Sequence, residues 1–217
     1  MKKLLLSAIL LASTMTWGQE KEEKLIIEKG TWGVSGQIST SHDKTTFENT
    51  PNLKNTNSIF NLFPSTEYFI SDNLSLGLSL GYGYFKGKSS NTNFNSETTI
   101  NNYSFAPFVT KYIPITKRLA FSLHSELSYT YSDSKSINSN TPTVINTGFA
   151  HNYAINIRPG ISFFVSKNIA LDANIGQLGY NYRNHKGRAD SSSESFTSGF
   201  NFNLNSSSIL LGASLYL

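Results

Sequence analysis

Apolar and polar residues alternate along this chain in runs of 11 to 13 residues. From Leu74 one face reads Leu74, Leu76, Leu78, Leu80, Tyr82 and Tyr84, and the other Ser75, Gly77, Ser79, Gly81 and Gly83. From Leu119 the apolar set is Leu119, Phe121, Leu123, Leu127, Tyr129 and Tyr131, broken at Ser125. Its opposite set is Ala120, Ser122, His124, Glu126, Ser128 and Thr130. A third run sets Tyr153, Ile155, Ile157, Pro159, Ile161, Phe163 and Val165 against Ala154, Asn156, Arg158, Gly160, Ser162 and Phe164. Period two is the mark of a strand with one apolar face. Soluble strands average about 5–6 residues, whereas a tilted strand needs about 9–11 to cross a bilayer. The length of these runs predicts strands that cross a membrane.

The runs sit in three similar hairpins that begin at Pro64, Pro107 and Pro159. In the first and third, the turns Ser71-Asp72-Asn73 and Ser166-Lys167-Asn168 fall at the same offset from the proline, and the middle copy has two extra residues between Pro114 and Arg118. Strand one starts at Trp32, and strands two to seven are expected near 58–70, 74–85, 100–113, 119–131, 149–165 and 169–182. Strand eight takes part of 196–217. The connections after strands one, three, five and seven are long and polar (42–57, 86–99, 132–148, 183–196), and the others are short. Even strand number with short turns at one end and long loops at the other predicts an all-β fold, an eight-stranded antiparallel up-and-down transmembrane barrel. Two phase slips need local breaks. One lies at Gly176-Gln177, and the other calls for a bulge near 205–208 or a later start of strand eight.

The first 18 residues have the form of an export signal: Lys2 and Lys3, the apolar stretch Leu4 to Ala12, then Thr16-Trp17-Gly18. Residues 19–28 read as a loose, charged periplasmic leader and 29–217 as the barrel domain. Of the 18 basic residues, 16 remain after the signal, against 14 acidic ones, which offers nucleic acid no partner. The chain has no cysteine, and 38% of its residues are hydrophobic. Both suit a barrel held by a closed backbone ladder with small polar residues inside, not a helical membrane protein.

Inward parity collects Glu67, His124, Glu126, Arg158 and Asp172. Buried charges must pair, so these predict a polar network centred on Arg158, with Glu126 and Asp172 as its nearest partners. Trp32, Tyr82, Tyr84, Tyr103, Tyr129, Tyr131, Tyr153, Tyr180, Tyr182 and Tyr216 cluster at strand ends, with Tyr68, Phe69, Tyr112 and Phe163 beside Trp32 and Tyr216, as aromatic girdles would. Catalysis is not expected. His124-Ser125-Glu126 holds the residue types of a hydrolytic triad, but consecutive strand residues face opposite ways. No serine stands at a useful offset from His151, and His42-Asp43 and Asp133-Ser134 read as polar loop residues. No spacing suggests a metal or cofactor site.

The Lys29-Gly30-Thr31-Trp32 start, the proline hairpins and the closing Leu211-Gly212-Ala213-Ser214-Leu215-Tyr216-Leu217 together resemble the small outer-membrane barrels of OmpA/OmpX type, in the form common among Bacteroidetes. The resemblance covers about residues 29–217. It implies the outer membrane of a Gram-negative bacterium, contact with outer-membrane lipids and lipopolysaccharide, and export and barrel assembly machinery during biogenesis. It also implies a monomer acting structurally or through its surface loops. Such barrels usually end in an aromatic residue, whereas this one ends in Leu217; no peptidoglycan anchor is implied. The lipid A deacylases among outer-membrane barrels carry a His-x-Ser-Asn run that is missing here. A narrow channel and a soluble, lipocalin-like ligand-binding barrel are the competing readings.

Overall fold

The computed structural model describes residues 24–46, 53–90, 95–138, 143–187, 194–203 and 209–217, so the export signal and part of the leader lie outside the described residues. The strands are β1 (Trp32–Thr46), β2 (Lys54–Ser71), β3 (Leu74–Ser90), β4 (Asn95–Pro114), β5 (Leu119–Asn138), β6 (Thr143–Phe164), β7 (Ile169–Ile175), β8 (Gln177–Gly187), β9 (Glu194–Asn203) and β10 (Ile209–Tyr216). From β1 to β6 each strand pairs antiparallel with the next. β7 pairs with Gly160–Phe164 of β6 and β8 with Gly148–Ile157, so the two share one position in the wall. β9 lies beside β8, and β10 lies between β7 and β1. The ten segments thus form an eight-position ring, closed from Gly33↔Tyr216 to Ile38↔Leu211.

The apolar parity faces outward. Leu76, Leu80, Phe105, Leu127, Ile155, Ile161 and Leu171 are exposed, while Ser75, Ser122, Ser162 and Ser214 are buried within the ring. A lipocalin-type barrel would have the reverse arrangement. Inside, large residues lie over glycines: a Cβ on Gly77 would come within 2.2 Å of the Phe108 ring.

The phase slip at strand seven has a local cause. Gly176 adopts φ +70°, a left-handed conformation that costs glycine little. The outward set therefore changes from Ile169, Leu171 and Ile175 to Leu178, Tyr180 and Tyr182. The bulge expected at 205–208 lies outside the described residues.

Two expectations are corrected, the long loops and the loop placement of His42 and Asp133. Among the turns, Asp72-Asn73 is a tight turn with Asn73 at φ +58°, whereas the second and third share one build. In those two, Thr116 Oγ1 accepts from the Arg118 and Leu119 amides, and Ser166 Oγ from those of Asn168 and Ile169. The long polar connections are largely ladder, since pairing continues to Thr46↔Lys54, Lys54↔Ser90, Ser96↔Asn138 and Lys186↔Glu194. His42 and Asp133 accordingly lie in strands, and His42 Nδ1 is 2.9 Å from Ser58 Oγ.

The leader from Lys24 onward is docked, not loose. The Leu25 amide donates to the Thr116 carbonyl, the Asn73 amide to the Ile27 carbonyl, and the Gly30 amide to the Phe69 carbonyl. Asn73 Oδ1 and Asp72 Oδ1 accept from the Ile27 and Lys29 amides at 2.9 and 3.0 Å. Ile27 is buried against Phe69, Tyr112, Phe164 and Tyr216, which fill the short-turn end of the barrel. The segment is a strap across that mouth. Ile27→Asp should release it, since burying an unpaired carboxylate there is prohibitive. Amide hydrogen exchange should quicken at Leu25–Gly30 and stay unchanged in β4 and β5; equal protection in both proteins would contradict the docking.

Candidate functional site

The lumen carries the chain's concentrated polar chemistry, and strand register decides which groups meet. β5 and β6 place His124 opposite Arg158 and Glu126 opposite Asn156. Arg158 therefore reaches Glu126 along the diagonal, with Nη2 at 2.7 Å from Oε1 and Nη1 at 3.2 Å from Oε2. This two-pronged pairing suits a planar guanidinium. Asn156 Nδ2 donates to Glu126 Oε1 at 3.0 Å, and His124 Nε2 lies 3.4 Å from Oε2, an ion pair when the ring is protonated. His124 Nδ1 sits 3.0 Å from Thr110 Oγ1, and its ring packs on Phe108 at 4.5 Å between centroids. Beyond Arg158, Nε donates to Gln177 Oε1 at 3.5 Å, and Gln177 Nε2 donates to Asn201 Oδ1 at 3.0 Å.

The other two expected members stand elsewhere. Glu67 accepts from Ser75 and from the Tyr112 hydroxyl at 3.1 Å. Asp172 accepts from Ser162 Oγ at 2.6 Å and from Ser214 Oγ. Neither is an ion-pair partner of Arg158, which corrects the five-residue network to His124, Glu126 and Arg158. Height along the strand explains the split. Glu126 lies seven residues past Leu119, where β5 leaves the β4–β5 turn, and Arg158 lies six before Phe164, where β6 enters the β6–β7 turn, whereas Glu67 and Asp172 lie within four residues of the strand ends at their own turns. Hydroxyls from Ser75, Tyr112, Ser162 and Ser214 take the place of a cation, satisfying these buried carboxyl groups by hydrogen bonds.

Outward-facing rings gather in two groups. At the short-turn end Trp32 meets Tyr68 at 5.1 Å, and Phe163 is exposed at the same end on β6. At the other end Tyr82 meets Tyr103 at 5.6 Å, Tyr129 meets Tyr153 at 5.2 Å, and Tyr180 and Tyr182 meet Phe200 and Phe196. Tyr131 packs on Phe149 and His151, and Tyr84 is half-buried opposite Phe60 and Asn101. His151 belongs to this outer aromatic group, with Nδ1 2.8 Å from the Tyr129 hydroxyl.

Tyr216 is a correction. It is 2% exposed and stacked on Phe164 inside the ring at 5.4 Å, and Phe69 and Tyr112 are buried there as well, with Phe69 edge-on to Tyr216 and tilted against Tyr112. Its parity with the inward Ser214 and Gly212 carried that information. Among the described residues no group of three or more His, Cys, Asp or Glu side chains has the arrangement of a metal site.

A family model described as "Outer membrane protein beta-barrel domain" matches residues 4–211. Among solved structures, Neisserial surface protein A is similar at 16% identity and a TM-score of 0.46, covering 86% of this chain and 97% of that one. OprG from Pseudomonas aeruginosa is similar at 10% identity and 0.49, covering 88% and 97%. The attachment invasion locus protein Ail of Yersinia pestis is similar at 12% identity and 0.42, covering 87% and 99%. A comparison with curated proteins found no match.

Proposed function

The chain belongs to the outer membrane protein beta-barrel domain family, and on that premise we propose a non-catalytic, non-conducting barrel that works at the cell surface through its long hairpins. It lies in the outer membrane of a Gram-negative bacterium, with lipid around its apolar face. The observation that carries the proposal is the contrast between the barrel's two ends. At the periplasmic end the lumen is filled by Ile27, Phe69, Tyr112, Phe164 and Tyr216. At the other, the hairpins run on as polar ladder beyond the tyrosines, which we place at headgroup level.

Those extensions are built to present polar side chains. Lys86 and Lys88 hold Glu97 at 2.7 and 3.3 Å across the β3–β4 hairpin. The hydrogen bond from Lys86 is the main influence keeping the Glu97 carboxyl below its ordinary range. Lipopolysaccharide is the nearest partner for such a surface, and the export and assembly machinery are the partners during biogenesis. The closed β1–β10 seam near the periplasm supports a monomer.

Planar bilayers test the proposal. Purified protein should give no sustained current, because an eight-stranded lumen filled by side chains leaves no continuous water path. Stable unitary currents would overturn this reading in favour of a narrow channel, for which the polar upper lumen supplies the one supporting observation.

A further inference from the structure

The short-turn half of the lumen holds a cavity of about 60 Å³ that shares Tyr112 with the aromatic seal. Glu67 and Asp172 both line it. The Ser75, Tyr112, Ser162 and Ser214 hydroxyls that bond these carboxyl groups carry no charge. Among the described residues no lysine or arginine lines the cavity. His124 does, but its Nδ1 faces Thr110 and its Nε2 faces Glu126. Two carboxylates in one enclosed space repel each other and are poorly solvated, so a bare pair is costly.

A second observation points the same way. Asn174 and Ser122 line this cavity and are 8% and 6% exposed. Neither side chain has a hydrogen-bond partner among the described residues, although buried polar groups are normally satisfied. Both flank Gly160, which pairs with Ser122 on one side and Asn174 on the other. A Cβ on Gly160 would stand 2.5 Å from Asn174 Oδ1 and 2.7 Å from Ser122 Oγ, so the glycine keeps space in front of both oxygens.

We propose that this cavity is a calcium site. Glu67 and Asp172 balance the charge of one divalent ion, and Asn174 and Ser122 supply neutral oxygens. Calcium accepts a flexible, all-oxygen set completed by water, whereas magnesium demands a near-ideal octahedron and dehydrates reluctantly. About 10–15 Å³ holds one water, so the space admits an ion with a few waters. With two acids and neutral donors, the set differs from a group of three or more His, Cys, Asp or Glu side chains. Gln37, Ser65, Phe108 and His124 also line the larger cavity on the Glu126–Arg158 pair, which gives the ion its way in from the upper lumen. The aromatic seal closes the other side, so the ion is resident and does not pass through. This site goes beyond the surface role and stands whether or not the hairpins bind a partner.

Equilibrium binding of radioactive calcium to chelator-stripped protein in uncharged detergent tests this. About one ion per chain should bind, half-saturating between about 0.1 and 1 mM, as in extracellular calcium modules. Asp172→Asn and Glu67→Gln should each weaken binding about tenfold or more, and Asn174→Leu about threefold, since affinity follows ligand charge and number. Glu97→Gln, on the β3–β4 hairpin, should leave binding unchanged, and magnesium at equal concentration should not displace calcium. Each variant is checked first for heat-dependent gel migration. If both carboxyl variants fail to assemble, Asn174→Leu decides, and unchanged affinity in it then overturns the proposal. It is also overturned if no calcium binds, if Asp172→Asn or Glu67→Gln binds as the parent does, or if Glu97→Gln abolishes binding. Equal competition by magnesium overturns it as well, because the ion class would then be wrong.

Discussion

Arg158→Ala should lower the unfolding free energy by about 3–5 kcal/mol, the cost of leaving one half of a buried pair alone. Glu126 is 8% exposed and holds Arg158 through both carboxylate oxygens. Without the guanidinium, Asn156 and His124 are its remaining close partners. The double variant Arg158→Met with Glu126→Leu should recover most of the loss, since replacing a whole buried pair by apolar groups is often neutral. Lys186, whose 3.1 Å contact with Glu194 is largely exposed, is the control: Lys186→Ala should stay within about 0.5 kcal/mol. Urea unfolding in liposomes measures all three. Equal midpoints for Arg158→Ala and Lys186→Ala would mean that the lumen pair is solvated and carries no such weight.

Phe69→Ala should cost about as much, roughly 3–5 kcal/mol for a fully buried aromatic. Its ring is 0% exposed and lies 5.7 Å from Tyr112 and 5.9 Å from Tyr216. The cavity left behind would lie directly under the strap, so amide exchange at Leu25–Gly30 should rise together with the loss of stability. Tyr68→Ala is the informative neighbour. Tyr68 faces outward against Trp32, and its removal should leave the strap's protection intact. If both variants freed the strap equally, the seal would not be the interior cluster described above.

Much of this architecture is legible in the sequence because a strand's period of two is a geometric fact. Leu76, Leu78 and Leu80 declare a face, and Gly77 and Gly81 declare the opposite one. Even the break at Gly176 is announced by the slip between Ile175 and Tyr180. The Glu126–Arg158 pair follows from parity plus height, and height is where the five-residue network fails: Asp172 and Glu67 share the parity of Arg158 but not its level. Tyr216 shows a different failure. Its residue type suggests an interface, while its parity with Ser214 places it inside, and parity prevails because the ladder fixes where a side chain points.

The hairpin extensions could not be read from alternation. Outside the bilayer both faces of a strand are wet, so Lys54–Asn57 and Lys86–Ser90 need no apolar side, and backbone pairing holds them together with the Lys86 and Lys88 contacts to Glu97. The strap is equally silent in sequence. Its attachment runs largely through backbone groups and the side chains of Asp72 and Asn73, which by type alone mark only a turn.

The central claim is that one parity meets lipid and the other fills the lumen. Phe163 and Phe164 test it most directly, as consecutive residues of β6 that are 44% and 2% exposed. In a mature chain lacking Trp32 (Trp32→Phe), single Phe163→Trp and Phe164→Trp variants would be reconstituted in brominated phospholipid. Tryptophan emission should be strongly quenched at 163 and nearly untouched at 164. Equal quenching at the two positions, or quenching at 164 alone, would contradict the assignment of faces on which the seal and the lumen pair both depend.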